Sequence, residues 1–172
     1  KPLLWHIMKI YVKFGFKDFY IALGYKGEVI KKYFSQNSFG WNINLIETGK
    51  NTMTGGRVKR LEDIIKNETF MLTYGDGVSD VNITKLLELH KKHKKFATMT
   101  AVRPPARFGV IKLEDNRVSY FKEKSKLDEG WINGGFFVME PEVFKYIKND
   151  ETFLEREPME MLCKEKQLFA FK

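Results

Sequence analysis

Over its first hundred residues the chain alternates between two hydrophobic rhythms, and this alternation restricts the fold more than any other feature. Leu3, Leu4, Ile7, Met8, Ile10, Tyr11 and Phe14 recur at helical spacing, which predicts an amphipathic helix over 3–16. The run from Asp18 to Gly24 reads as a buried strand, 27–34 as a short helix, and Asn42 to Glu47 alternates as a strand does. Thr54 reads as the N-cap of a helix reaching Ile65, with Val58, Leu61, Ile64 and Ile65 turned inward. A strand over 70–74, a helix over 83–93 and a strand over 97–103 continue the series. Strands alternating with helices predict an α/β fold with a mostly parallel sheet covered by helices.

After Pro104-Pro105 the pattern changes. Short strands are predicted over 109–113, 118–122 and 132–139, with a hairpin-type turn at Asp115-Asn116, followed by helices over 141–147 and 153–166. No repeat or linker divides the chain, so 1–172 reads as one α/β domain with a mixed sheet.

Composition narrows the function classes. With 43% apolar, 15% aromatic and 30% charged residues the chain has the balance of a soluble globular protein. No stretch approaches the ~20 apolar residues that cross a bilayer, and no charged-then-apolar leader is visible, so the expected location is the cytoplasm. The single cysteine, Cys163, cannot form an internal disulfide and is expected to pack. The formal charge of +8 is scattered along helices without a zinc-finger or other nucleic-acid signature, which favours small anionic ligands over a duplex. The chain opens at Lys1-Pro2 directly before a helical pattern and stops inside the apolar run Leu168 to Lys172, as a segment of a longer protein would.

Four constellations could carry chemistry. Thr73-Tyr-Gly-Asp-Gly77 places one carboxylate between two glycines just beyond a buried strand, at the edge where ligands of an open α/β sheet collect. The glycines would let a ligand or metal approach Asp76 and the backbone of Gly75; the alternative is a tight turn. Thr52-Met-Thr-Gly-Gly-Arg57 begins a helix with Gly55 and Gly56, where free N–H groups attract a phosphate or a planar base. Arg57 falls in the first turn, where the helix dipole disfavours a cation, so an anion nearby would account for it; a glycine-softened turn with a solvated arginine is the alternative. Arg103-Pro-Pro-Ala-Arg-Phe-Gly109 is either a stiff loop whose Phe108 and Gly109 wall a pocket, or a surface crossover. Glu123-Lys124 and Asn133-Gly134 could read sugar hydroxyls and a phosphate, or decorate strand ends.

Several devices are absent. The chain has neither a Gly-x-Gly-x-x-Gly fingerprint nor a Walker A loop. His90 and His93 lie in a lysine-rich run that reads as a solvated helix end, His6 reads as a packed or half-exposed residue, and no Ser-His-Asp or Cys-His pattern stands out.

Taken in order, these segments resemble the sugar-phosphate nucleotidyltransferases. The likeness runs through Lys1-Pro-Leu-Leu-Trp-His-Ile-Met-Lys9, Gly24-Tyr-Lys-Gly27, Thr48-Gly49, Met53-Thr-Gly-Gly-Arg57, Thr73-Tyr-Gly-Asp-Gly77, Pro104-Pro-Ala-Arg-Phe-Gly109, Glu123-Lys124 and Ile132-Asn-Gly-Gly-Phe-Phe137. Met-Thr-Gly-Gly-Arg together with Tyr-Gly-Asp-Gly points to the cytidylyl branch. The resemblance implies a Rossmann-like nucleotide-diphospho-sugar transferase fold and transfer of a cytidylyl group from CTP to glucose 1-phosphate, giving CDP-glucose and pyrophosphate. It implies Mg²⁺ on Asp76 as the catalytic and metal-binding carboxylate, and a nucleotide against Thr52, Gly55, Gly56, Arg57 and Gly75. The sugar phosphate would be held by Gly109, Glu123, Lys124, Asn133 and Gly134, and related enzymes suggest a homo-oligomer. The chain departs from its relatives in four ways: their glycine-rich nucleotide loop precedes Lys1, their second metal-binding aspartate lies beyond Lys172, their insert between the positions of Tyr33 and Trp41 is longer, and Ser125 stands where many of them have proline. Alternative readings are a catalytically silent nucleotide-binding relative, a nucleotidyltransferase using UTP or dTTP, and a glycosyltransferase taking a nucleotide-sugar donor.

Overall fold

Four consecutive side chains, Phe136 to Met139, are almost completely buried, at 2%, 0%, 0% and 0% exposure. They end strand β7 (Ile132–Met139). Successive strand residues point to opposite faces, so only a strand covered on both sides buries four in a row. Phe137 and Met139 pack with Val58, Val143, Phe144, Leu154 and Leu162 on one face. Phe136 and Val138 pack with Ile7, Tyr11, Ile83 and Leu86 on the other.

The computed structural model describes residues 1–65, 67–104, 110–122 and 130–172. Helix α1 (Leu3–Lys13) precedes β1 (Asp18–Leu23), α2 (Gly27–Ser35) and β2 (Asn42–Glu47). Then come α3 (Thr54–Lys59), α4 (Glu62–Ile65), β3 (Phe70–Thr73), α5 (Ile83–His93) and β4 (Ala97–Val102). A hairpin of β5 (Val110–Glu114) and β6 (Arg117–Lys122) precedes β7. A 3₁₀ helix at Pro141–Tyr146, α6 (Glu157–Lys164) and β8 (Leu168–Phe171) complete the described elements.

The larger sheet runs β3-β7-β4-β8. β7 is antiparallel to both β3 and β4, and β8 is parallel to β4, so three of the four strands share a direction and β7 opposes them. The expected mostly parallel, mixed sheet is present, with the reversed strand at its buried centre. α1 and α5 cover one face, while α3, α6 and the 3₁₀ helix cover the other. β1 and β2 form a separate parallel pair, from Asp18 opposite Asn42 to Leu23 opposite Glu47. Trp5 of α1 stacks on Trp41 beside β2, with ring centroids 5.9 Å apart.

Where boundaries differ from expectation, local chemistry explains it. α1 stops at Lys13 because Gly15 takes a left-handed φ of 92°. The Gly15 and Phe16 N–H groups then return to the carbonyls of Val12 and Tyr11. The helix predicted over 54–65 breaks near Arg60, whose guanidinium pairs with both carboxylate oxygens of Asp150 at 2.9 and 2.5 Å. Thr54 is its first helical residue and not its cap, and Ile64 is 46% exposed. The helix predicted from 153 begins at Glu157, with Pro158 in its first turn. Cys163 is exposed on α6, contrary to its expected packing role. No helix among the described residues is long and apolar enough to cross a membrane.

His90 is the largest correction. The lysine-rich run suggested a solvated helix end, yet His90 is 1% exposed. The Lys95 N–H donates to His93 Nδ1 at 2.9 Å, which puts the proton of a neutral His93 on Nε2. That N–H reaches Thr98 Oγ1 at 2.6 Å, leaving the threonine proton for His90 Nδ1 at 2.8 Å. His90 Nε2–H then donates to Glu140 Oε1 at 3.0 Å, and the Thr69 hydroxyl donates to Oε2 at 2.8 Å. Both imidazoles therefore sit in a directed chain that joins α5 to the starts of β3 and β4 and the end of β7.

Candidate functional site

β3 ends at Thr73, opposite Phe136 of β7. The Tyr74 N–H still donates to the Gly135 carbonyl at 3.4 Å, after which the chain leaves the sheet through Gly75-Asp76-Gly77. All three are exposed. A Cβ at Gly75 or Gly77 would meet nothing within 4 Å, so both flanks of the Asp76 carboxylate are open space. Asp76 thus stands at the rim beyond the carboxyl end of β3, where the strand pattern places it.

Behind it lies a residue that sequence reasoning missed. The Tyr74 hydroxyl donates to Glu155 Oε1 at 2.7 Å and accepts from Asn133 Nδ2 at 3.3 Å. The Thr54 hydroxyl donates to Glu155 Oε2 at 2.6 Å and accepts the Leu154 N–H at 2.9 Å. One carboxylate therefore joins Met-Thr-Gly-Gly-Arg to Tyr-Gly-Asp-Gly, and the Tyr74 hydroxyl extends the link to Ile-Asn-Gly-Gly. Burial raises the Tyr74 phenol above its ordinary value, and the negative charge of Glu155 raises it further. A signal for Glu155 was present in the sequence: Pro158 favours a helix start near 157, leaving 153–156 as a turn able to aim a side chain back.

The two glycines of α3 serve a different purpose from the expected one. Met53 N–H donates to the Asp150 carbonyl at 2.8 Å, and the N–H groups of Gly55 and Gly56 donate to the Thr152 carbonyl at 2.9 and 3.2 Å. These groups are not free to hold an anion. A Cβ at Gly55 would lie 2.7 Å from Thr152 O, and one at Gly56 2.5 Å from Asp150 O. The missing side chains admit the 150–154 backbone.

Arg57 is likewise explained without a bound anion. Its Nη1 reaches Leu23 O at 3.1 Å, Thr48 Oγ1 at 2.7 Å and Gly49 O at 2.9 Å, and Nη2 reaches Lys50 O at 3.4 Å. Carbonyl dipoles at the ends of β1 and β2 offset the unfavourable helix position. Among the described residues no carboxylate pairs with this guanidinium and its Nε finds no acceptor, so a positive charge remains uncompensated there. Thr52 is 8% exposed in the same segment.

On the other side of Asp76, Asn133 is exposed and its Oδ1 also accepts the Gly135 N–H at 2.8 Å. The position a Cβ would take at Gly134 lies 2.5 Å from Thr100 Oγ1 and 3.0 Å from Val102, so this glycine makes room for β4. Gly135, at the bulge between β7 and β4, has a φ of 78°, and a Cβ there would lie 3.0 Å from the Tyr74 ring. The exposed Arg103 lies over the Trp131 ring at 4.7 Å. Gly109, Glu123 and Lys124 lie outside the described residues. The structure thus gathers Asp76, Tyr74, Asn133, Thr54 and Glu155 at one rim, with Thr52 and Arg57 on the adjoining segment. Among the described residues no group of three or more metal-ligating side chains forms, and the Glu155 carboxylate at the same rim is taken up by Thr54 and Tyr74.

The profile of the Nucleotidyl transferase family matches residues 1–167. The glucose-1-phosphate cytidylyltransferase of Salmonella typhi is 45% identical over 195 aligned positions, covering 99% of this chain and 76% of that protein. A probable glucose-1-phosphate cytidylyltransferase of Bacillus subtilis (strain 168) is 40% identical, covering 100% of this chain and 76% of its own length. Among solved structures, HddC from Yersinia pseudotuberculosis superposes with a TM-score of 0.76 at 20% identity, covering 99% of this chain and 76% of that one. The same protein complexed with GMP-PN gives 0.74 at 21% identity, again over 99% and 76%. With a family match along nearly its whole length and relatives of this identity, the chain belongs to the nucleotidyl transferase family.

Proposed function

We propose that this protein transfers a cytidylyl group from CTP to glucose 1-phosphate, releasing pyrophosphate and forming CDP-glucose. The observation that carries the reading is the joining, through Glu155, of the carboxylate rim to the Met-Thr-Gly-Gly-Arg segment, in a chain 45% identical to a glucose-1-phosphate cytidylyltransferase. In the reaction a phosphate oxygen of the sugar attacks the α-phosphorus of CTP, the bond from that phosphorus to the bridging oxygen breaks, and pyrophosphate leaves with the electron pair. Such a transfer asks the protein mainly to position two polyanions and balance developing charge.

Each part of the rim has a role in this reading. Asp76 would hold a divalent cation, Mg²⁺, which when bound supplies charge neutralisation at the phosphates. Magnesium keeps several waters and needs only one or two carboxylates alongside substrate phosphates, which suits an exposed aspartate with open flanks. Gly75 keeps the approach to the nucleotide clear. Thr52 and the uncompensated Arg57 face the cytidine nucleotide, and Gly55 and Gly56 act by seating α3 on 150–154. Asn133, with Gly134 fixing its strand, contacts the sugar phosphate, joined by Gly109, Glu123 and Lys124.

The test is pyrophosphate release by the full chain with glucose 1-phosphate and each of CTP, UTP, dTTP and GTP, together with CTP binding by calorimetry. CTP is expected to be preferred, and Asp76→Ala is expected to lower turnover at least about a hundredfold. Preference for UTP or dTTP would reject the nucleotide assignment, and CTP binding without turnover would mark a catalytically silent relative. An active Asp76→Ala variant would remove the aspartate from its role.

A further inference from the structure

The segment Gly24-Tyr-Lys-Gly27, which follows β1, has no part in the rim described above. Gly24 has an ordinary negative-φ backbone, since the positive-φ glycines are Gly15, Gly40, Gly49 and Gly135, so its conformation alone would accept alanine. The space beside it is what excludes a side chain. A Cβ at Gly24 would lie 2.5 Å from both Nη1 and Nη2 of Arg57 and 2.7 Å from its Cζ.

That guanidinium bonds residues on either side of the Gly24 gap. Leu23 ends β1, and its carbonyl accepts from Arg57 Nη1, from the Thr48 N–H at 3.0 Å and from the Thr48 hydroxyl at 2.7 Å. Thr48 is completely buried, and Gly49 and Lys50 directly after it supply the remaining acceptors for Arg57. Arg57 therefore pins the last residue of β1 to three successive residues beyond β2, and Thr52 follows two positions later. Hydrogen bonds from a charged donor are roughly twice as strong as neutral ones, and those to Leu23, Thr48 and Gly49 are half-buried, so displacing the guanidinium loosens Gly49 and Lys50, which lead to Thr52, while Thr48 keeps its own bonds to Leu23.

We propose that Gly24 is a positioning residue for nucleotide binding: its absent side chain admits the Arg57 guanidinium, which sets the segment carrying Thr52. This rests on the reading that Thr52 and Arg57 face the nucleotide. The clash falls on the tip of a flexible side chain and not on backbone, so Gly24→Ala moves Arg57 without forcing the strand apart.

The experiment is a double-mutant cycle on the full chain with Gly24→Ala, Arg57→Ala and the pair, measuring kcat, both KM values and thermal stability. Gly24→Ala is expected to raise KM for CTP about tenfold while kcat and KM for glucose 1-phosphate stay within about twofold. In the Arg57→Ala background the same change should have almost no effect, because nothing is left to displace. Effects that multiply, an unchanged KM for CTP, or equal rises in both KM values would overturn the proposal. If Gly24→Ala alone does not fold, the double variant should, because Arg57→Ala restores the space; failure of both overturns the latch. A wild-type chain without nucleotide turnover or binding overturns the functional reading and the positioning role with it, while coupling in thermal stability still reports whether the latch exists.

Discussion

Replacing Gly56 with alanine separates two explanations of the paired glycines in α3. The added Cβ would sit 2.5 Å from Asp150 O, 2.6 Å from Asp150 Cα and 2.8 Å from Asp150 C, all backbone atoms. Ordinary contact begins near 3.4 Å, so the 150–152 backbone must retreat by the difference between 3.4 and 2.5, about 0.9 Å. That retreat strains the bonds from Met53, Gly55 and Gly56 to the Asp150 and Thr152 carbonyls, now 2.8, 2.9 and 3.2 Å long. Overpacking of this kind costs roughly 1–3 kcal/mol, and weakening one or two hydrogen bonds adds about 1 kcal/mol. The helix preference of alanine returns about 1 kcal/mol. The net is a loss of roughly 1–3 kcal/mol, which in a chain of this size lowers Tm by about 2–12 °C. Thermal and denaturant unfolding of wild type and Gly56→Ala, with KM for CTP measured on both, decides the matter. If the glycines existed to admit a ligand, Tm would hold or rise while KM for CTP rose; a variant melting within about 1 °C of wild type would refute the packing argument.

Two further outcomes follow from the hydrogen-bond networks. Glu155→Gln should lower kcat about tenfold with a Tm loss of only a few degrees, because its two hydrogen bonds are solvent-exposed while the motifs it joins surround the site. In the same variant the Tyr74 phenol should titrate at lower pH, having lost the charge that helps hold it up, and phenolate absorbance reads this directly. His93 is held below its ordinary value of 6.5, first by burial and then by repulsion from His90 and Lys95. The unfolded chain therefore binds a proton more readily than the folded one. The contribution of His93 to stability is full above about pH 6.5 and declines as pH falls below it towards the folded-state value. Melting between about pH 7.5 and about pH 5.5 should show this loss, and His93→Gln should flatten it; an unchanged slope in that variant would reject His93 as the source.

Much of the fold was legible in the chain because local exposure imprints a local rhythm. The strands Asn42–Glu47 and Ile132–Met139 and the helix Ile83–His93 have the bounds that their apolar spacing predicts. The placement of Asp76 beyond a strand end followed from Phe70 to Tyr74 running into Gly-Asp-Gly. Periodicity says whether a residue lies on an inner face, but not which distant residue meets it. Only the tertiary structure put β7 antiparallel between β3 and β4, because pairing is chosen by contacts far apart in sequence. For the same reason His90, set among lysines, looked solvated until Thr98 and Glu140 supplied the partners that make its burial affordable. Gly55 and Gly56 looked like room for a ligand until the 150–154 backbone was found filling that space, and Glu155 revealed itself only once Thr54 and Tyr74 met it from opposite sides. What the amino-acid order determined is the series of elements and the kind of chemistry at their ends; what folding decided is which of those ends touch.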